Sequence, residues 1–396
     1  MRSLKILIAA ALLLAGPATA QNADDFWSQT RRGANSFNLV ETPQHIAAAH
    51  DFGAGFVRMA VGKWKGSGRD FLAGYLDDYQ GLQPADVQHL RTLLDAAAEA
   101  DTPVVLTLLD LPGLRWKQNN GDKVDGRLWE DDHWHEVAAR YWADIARAFR
   151  GHPGLAGYNL INEPAPELGQ GLDETAASPA ERDAWCQKVK GRPRDLDALY
   201  RRLVTAVRAE DPTTPILLDL GYYAQPSAAR CLTALDDPHV LYAVHMYEPY
   251  GYTTWRWNQG RLTYPGPLDY GGRAETWDAA RVARHLQPVL DWADTQGLAR
   301  NRLMLGEFGC DRKVPGCAAY LHDVITAAEA ARIHWAFYSF REDVWDSMDY
   351  ELVDGPTPAG FYAQPQRALP RPPNPMSDVL RRGMRGELAR AVSTSP

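Results

Sequence analysis

The stretch LAGYNLINEPAP, residues 155–166, decides how the chain is read. Its first eight residues are extended in character and mostly apolar, without the in–out alternation of a half-exposed strand. A continuous run of this kind suits a strand of a parallel sheet covered on both faces. The run stops on Asn162-Glu163-Pro164, where the proline cannot donate to a further ladder. A surface loop would be a cheaper place for a glutamate, so a carboxylate carried to the end of a buried strand needs a reason.

Seven further runs of this kind follow the same logic: RGANSFN (32–38), AGFVRMAVG (54–62), TPVVLTLLD (102–110), TPILLDL (214–220), HVLYAVHMY (239–247), NRLMLGEFG (301–309) and IHWAFYSF (333–340). Amphipathic helical patterns lie between them. Val87, Leu90, Leu93, Leu94 and Ala97 recur at three and four, as do Val137, Tyr141, Ile145 and Phe149, and then Leu196, Leu199, Leu203, Val204 and Val207. Thr42-Pro43 and Gln83-Pro84 open helices, and Gly53 and Gly297 follow helix ends. Eight strand–helix units predict a (β/α)8 TIM barrel. The competing doubly wound open sheet would carry a Gly-rich turn after its first strand, and this chain has none. No internal repeat and no linker composition marks a second domain. The expected organisation is one barrel domain over residues 21–396, with a Pro-rich segment from Pro356 to Pro375 that wraps it before a short last helix near 376–390.

Residues 1–20 read as an export signal: Arg2 and Lys5, then the apolar ILIAAALLLA, then ATA ending at Ala20. The apolar run is short for a bilayer span, and no cysteine follows it to take a lipid. The expectation is a secreted or periplasmic protein, acting as a monomer and beginning near Gln21. The signal carries two basic residues and no acid, so its removal takes the net charge from −8 to −10. An acidic chain without a basic block excludes nucleic acid and anionic membrane as partners. Thirteen Trp and seventeen Tyr supply the rings that a sugar cleft needs, although rings also fill cores. Export favours disulfides, and four cysteines allow three pairings. Cys310 and Cys317 flank Pro315-Gly316 in a short loop that can close on itself, which favours Cys310–Cys317 with Cys186–Cys231. No CxxC pair supports a metal site.

In a barrel of this type the C-terminal ends of the strands share one mouth. The residues delivered there are Arg58, Asp110, Asn162-Glu163, Asp219, His245 and Tyr247 with Glu248, Glu307, and Trp335 followed by Arg341-Glu342. Glu163 and Glu307 are a pair of carboxylates far apart in sequence and converging on one mouth, the arrangement glycoside hydrolysis requires. One protonates the departing glycosidic oxygen while the other attacks the anomeric carbon or activates water. The pair works only if the two pKa values are pushed apart.

With those residues in place, the chain resembles glycoside hydrolase family five, the cellulase and mannanase family. LINEP (160–164) and LGEFG (305–309) resemble its acid/base and nucleophile strands. FVRMAV (56–61) resembles its second strand, VHMYEP (244–249) its sixth, and HWAFYSF (334–340) its eighth, over Arg32 to about Tyr350. The resemblance implies a retaining β-glycosidase that needs no cofactor and no metal. Glu163 would be the acid/base and Glu307 the nucleophile. Asn162 would bind the sugar 2-hydroxyl, Arg58 and Tyr247 would position Glu307, His245 would hydrogen-bond near the acid/base, and Trp335 would stack under the reactive sugar. A retaining enzyme holds its carboxyl groups about 5–5.5 Å apart.

One departure stands out. The family's third strand usually ends in Asp-Leu-His, whereas LLDLPG places Pro112 where the histidine would fall; either a neighbour such as Trp116 or His133 fills that place, or the subsite is shaped differently. The expected substrate is a β-linked polysaccharide, foremost β-1,4-glucan. The alternatives are β-mannan, β-1,3-glucan or a bacterial exopolysaccharide, a carbohydrate-binding protein without catalysis, and a metal enzyme using Asp219, Glu248 and Glu307. Trp116, Trp255 and Trp257 are candidate platforms for further sugar units. Plain structural alternatives stand beside the functional ones: a buried ion pair for Arg58, a core histidine for His245 and core packing for Trp335. Asp110 and Asp219 read as strand-end hydrogen-bond anchors. In DDHWHE (131–136) the two histidines fall on different faces of a helix, which argues against a metal site there. HExxH, GxSxG, the P-loop and GxGxxG are absent, which removes the common protease, esterase and nucleotide readings.

Overall fold

Each of the eight apolar runs forms a strand in the computed structural model, which describes residues 26–61, 65–66, 69–117, 120–342, 346–352 and 369–389. The strands are β1 (Arg32–Ser36), β2 (Val57–Ala60), β3 (Val104–Thr107), β4 (Leu155–Asn159), β5 (Ile216–Asp219), β6 (Val240–Met246), β7 (Leu303–Phe308) and β8 (His334–Phe337). They pair in chain order, all parallel, and β1 closes on β8 through Arg32↔Trp335, Gly33↔Ala336 and Ala34↔Phe337. The result is the expected (β/α)8 barrel. The proposed export signal and most of the Pro-rich segment lie outside the described residues. Among the described residues no helix is long and apolar enough to cross a membrane.

The outer ring comprises α1 (Pro43–Phe52), α2 (Pro84–Glu99), α3 (Asp132–Phe149), α4 (Pro179–Val189), α5 (Leu196–Glu210), α6 (Ala279–Gln296), α7 (Cys317–Ala331) and α8 (Pro375–Met384). Their boundaries follow local chemistry. The Thr42 hydroxyl accepts from the His45 N–H at the start of α1, and Gly53 and Gly297 close α1 and α6 at φ +105° and +69°. Ser178 and Glu181 form a reciprocal capping box on α4, an S-x-x-E signal for a helix whose apolar pattern is too weak to announce it. The Leu90, Leu93, Leu94 and Ala97 stripe of α2 is at most 1% exposed, each leucine contributing about 1.5–3 kcal/mol of burial.

Two cores result. Inside the barrel, Phe56, Val105, Ala156, Leu217, Leu241, Ala243, Met304 and Ala336 pack together. Phe26 and Trp27 join this cluster, and the Trp27 indole donates to the Ala156 carbonyl at 2.9 Å. The larger core lies between the outer strand faces and the helices. Both expected disulfides form, Cys186–Cys231 with Cα atoms 5.1 Å apart and Cys310–Cys317 at 5.9 Å. The first ties α4 to the 3-10 turn Pro226–Cys231 after β5; the second ties the segment after β7 to the start of α7. Three segments shape the mouth: the long loop 164–178 after β4, the short connection after β5, and an antiparallel hairpin, Gly266–Tyr270 with Arg273–Trp277, after β6.

Candidate active site

Strand geometry puts Arg58 at the centre of the mouth. Residues alternate faces along a strand, so Arg58 points the same way as Phe56, into the barrel but one step closer to the open end. It is fully buried and every arm is engaged. Nη1 donates to Glu307 Oε1 at 2.6 Å and to Asn35 Oδ1 at 3.0 Å. Nη2 donates to Asn162 Oδ1 and Asn159 Oδ1, both at 2.6 Å, and lies 3.3 Å from Asp219 Oδ2. Burial works against the charge, but Asp219 and Glu307 outweigh it and hold the guanidinium protonated. A guanidinium is a donor only, so it fixes the Asn162 amide with its oxygen inward, and the NH₂ is the end left for a ligand.

Glu307 owes its position to a break in the strand pattern. Met304 faces the barrel interior, so strict alternation would turn Glu307 outward. The β7–β6 register shifts between Leu305 and Glu307, and this bulge re-aims the carboxylate inward. Gly306 makes room for it: a Cβ there would stand 3.1 Å from His245 Nε2. Besides Arg58, Glu307 accepts from the Tyr247 hydroxyl at 2.8 Å, and its side chain is only 5% exposed. Burial would raise its pKa, but His245, Arg58 and the Tyr247 hydrogen bond prevail and keep it below the usual carboxylate range.

Glu163 differs on each count. Its backbone sits at φ +49°, a conformation costing a non-glycine residue roughly 1–2 kcal/mol. The buried Asp219 carboxylate holds it there by accepting the Glu163 N–H at 3.1 Å. The side chain, 26% exposed to the cavity, meets His245 Nδ1 at 2.8 Å. Burial raises its pKa, the His245 hydrogen bond opposes this, and the charge of Glu307 adds to the rise. One oxygen of Glu163, one of Glu307 and a ring nitrogen of His245 all lie within 4.8 Å of one another.

A family model described as Cellulase (glycosyl hydrolase family 5) matches residues 20–343 of the chain. The chain belongs to glycosyl hydrolase family 5. Among solved structures it is similar to an endoglucanase at 20% identity, covering 81% of this chain and 92% of that one with a TM-score of 0.58. It is also similar to the Pseudomonas stutzeri endoglucanase Cel5A at 16% identity, covering 89% and 94% with a TM-score of 0.60. At these identities the likeness is one of fold. A β-xylosidase of Phanerodontia chrysosporium is 23% identical over 290 residues, 69% of this chain; the chain spans about half of that relative's length.

Of the expected site residues, the family 5 barrel brings together Arg58, Asn162, Glu163, His245, Tyr247 and Glu307. Trp335 is a correction. It is fully buried on the outer face of β8, edge-on to Phe308 at 5.9 Å, with its indole donating to Glu329 at 2.9 Å. Ala336 occupies the interior face of this strand, so Trp335 must face the helices, and the ring that reaches the cavity is Tyr338, two residues after Ala336 and three after Trp335. Asp219 anchors the site, as expected. Asn35, Thr107 and Asn159 are additions: Asn159 Oδ1 takes two Arg58 donors and the Thr107 hydroxyl, while its NH₂ donates to Asp219 at 2.8 Å. Short polar residues inside strand runs were the available signal.

Around Pro112, Trp116 packs against Tyr223 with centroids 5.5 Å apart, and its buried indole N–H has no acceptor among the described residues. His133 is exposed on the first turn of α3. Trp255 lines the cavity that holds Glu307, whereas Trp257 is 53% exposed beneath Arg256. Asp219, Glu248 and Glu307 form no metal-sized cluster among the described residues: the first and third pair with Arg58, while Glu248 accepts from Gln225 and lies 3.4 Å from His285.

Proposed function

We propose that this chain is an exported β-glycosidase that hydrolyses a β-linked glucan, foremost β-1,4-glucan, by retaining double displacement. The observation that carries the reading is the opposite poise of two strand-end carboxyl groups, one oxygen of each lying within 4.8 Å of the other. Retaining enzymes hold theirs about 5–5.5 Å apart and inverting ones about 6.5–9.5 Å.

Ionised Glu307 attacks the anomeric carbon while protonated Glu163 delivers its proton to the departing oxygen. The C–O bond breaks, and the sugar is left esterified to Glu307. Glu163, now ionised, takes a proton from water as that water attacks the same carbon and frees Glu307. Arg58 and Tyr247 keep Glu307 ionised before attack and stabilise it as it leaves, while His245 answers the changing charge of Glu163. The Asn162 NH₂ is placed to bind the sugar 2-hydroxyl, a bond that strengthens in the transition state.

The P. stutzeri endoglucanase, also solved in complex with cellobiose, supports β-1,4-glucan. The relative named β-xylosidase supports β-xylosides as a second substrate. Proton NMR of the first product formed from a panel of β-glucans, xylans and mannans tests the proposal. A β-anomer is expected, α would exclude retention, and no reducing sugar from any member would exclude the hydrolase.

A further inference from the structure

The cleft consists of two chambers that share Glu163, Tyr247 and Tyr250. One, of about 480 Å³, contains Glu307, Asn162 and Tyr338. The other, of about 810 Å³, contains Glu163 and His245 but not Glu307, and extends past Glu174, Tyr223 and Tyr270. In double displacement the anomeric carbon lies over the nucleophile and the departing oxygen meets the acid. The first chamber therefore takes the sugar being transferred and the second takes the leaving group.

The far end of the second chamber is bridged. Because the connection after β5 is short, the loop after β4 and the hairpin after β6 reach each other across it. At Gly271, φ +61°, an added Cβ would stand 3.3 Å from the Thr175 carbonyl oxygen, so the two backbones approach too closely to admit a side chain between them. Both sides are anchored. The Leu172 carbonyl accepts from the Tyr222 hydroxyl, and the Glu174 carbonyl accepts from Arg182 on α4, the helix that Cys186–Cys231 ties to the β5 turn. Asp173 caps the N–H groups of Thr175 and Ala176 at 2.8 and 2.6 Å. On the hairpin, Tyr270 packs edge-on against Trp277 and His285 at 5.5 and 5.7 Å, and Arg281 covers both aromatic rings of the hairpin.

We infer that this bridge ends the cleft on the leaving-group side, so that the enzyme cuts near the reducing end of its glycan and releases a leaving group of about one or two sugar rings. The inference rests on the hydrolase reading above. A chamber of this size encloses one ligand of roughly disaccharide dimensions. A longer leaving group would have to pass where Thr175 and Gly271 meet.

The test uses β-1,4-linked hexasaccharides of glucose, xylose and mannose, ¹⁸O-labelled at the reducing end, with the cut bond read by mass spectrometry. The wild type is expected to cut the first or second bond from the reducing end at least about tenfold faster than the central bond. Preferential central cutting would overturn the bridge and leave the hydrolase standing; no cutting of any member would overturn both. A variant replaces Asp269–Ala274 with Asn-Gly, which keeps Leu268 paired with Glu275 across a two-residue turn. Central cutting should rise in this variant, and an unchanged bond preference in the folded variant would overturn the bridge. Should the variant not fold, the wild-type bond preference decides.

Discussion

Glu163 and Glu307 end two strands of one barrel, each beside His245, yet their surroundings act on them in opposite directions. Glu307 sits on a bulged strand end inside a cage of donors: a guanidinium on one oxygen and a phenol on the other. Glu163 leans toward the cavity from a left-handed backbone, with a histidine as its one side-chain hydrogen-bond partner among the described residues. Burial pushes both pKa values up; at Glu307 the donors reverse it, and at Glu163 they do not. Depth of burial therefore does not assign the roles. The number and charge of the donors that survive burial does.

The strongest way to break this comparison is to remove each carboxylate in turn. Glu307→Gln should lower kcat by on the order of 10⁴–10⁶-fold on every substrate, because no other group forms the covalent bond. Glu163→Gln should cost roughly 10²–10⁴-fold, but most of the first-step loss should vanish on an aryl glycoside whose leaving group needs no proton. Equal losses for both variants on both substrates would show that the roles are not separated.

The cage itself is tested next. Arg58→Leu strips a buried cation from Glu307 and Asp219 and leaves the side-chain oxygens of Asn35, Asn159 and Asn162 facing an apolar side chain. Removing one partner of a buried ion pair costs about 3–5 kcal/mol, to be read from the denaturant midpoint. Adding Glu307→Gln should return part of that loss, because one of the stranded charges is gone. Tyr247→Phe is milder: one hydrogen bond to a charged group, about 1.5–3 kcal/mol, should move the acidic limb of kcat/KM upward by about one to two pH units.

The comparison also explains what was legible in the sequence. Parallel strands buried on both faces betray themselves as apolar runs, so all eight were readable, as were the polar residues at their ends. Side-chain direction was less readable because it depends on parity. On β8 the parity is regular, and one step decides between Trp335 on the outside and Tyr338 at the cavity. On β7 parity alone would have turned Glu307 outward, and a bulge turns it in, hinted at only by Gly306 inside the strand run. Asn35 and Asn159 stood out only as short polar residues inside strand runs, and what they do was hidden for another reason. Their role exists only once β1, β2 and β4 stand side by side and a guanidinium lies between them.

The smallest effect is the most specific to the comparison. In the folded chain Glu163 holds its proton through a pH window in which the unfolded chain, with a glutamate pKa of about 4.3, has released it. Its contribution to stability is complete below about 4.3 and is lost as pH rises through its raised folded value. Glu307 behaves in reverse: its contribution is present above about 4.3 and is lost as pH falls through its depressed folded value. Neither glutamine titrates. The Tm of Glu163→Gln relative to wild type should therefore climb as pH rises from about 4. The raised pKa of His245, opposed by burial but sustained by Glu307, Asp219 and Glu163, adds in the same direction. The Tm of Glu307→Gln relative to wild type should climb as pH falls below about 4. Each unit of pKa shift is worth about 1.4 kcal/mol, or about 2 °C in a chain of this length. Constant offsets from lost contacts do not matter, since the opposite slopes carry the test. Two slopes of the same sign would mean that the barrel mouth treats its two carboxylates alike, and acid and nucleophile would then have to be assigned on other grounds.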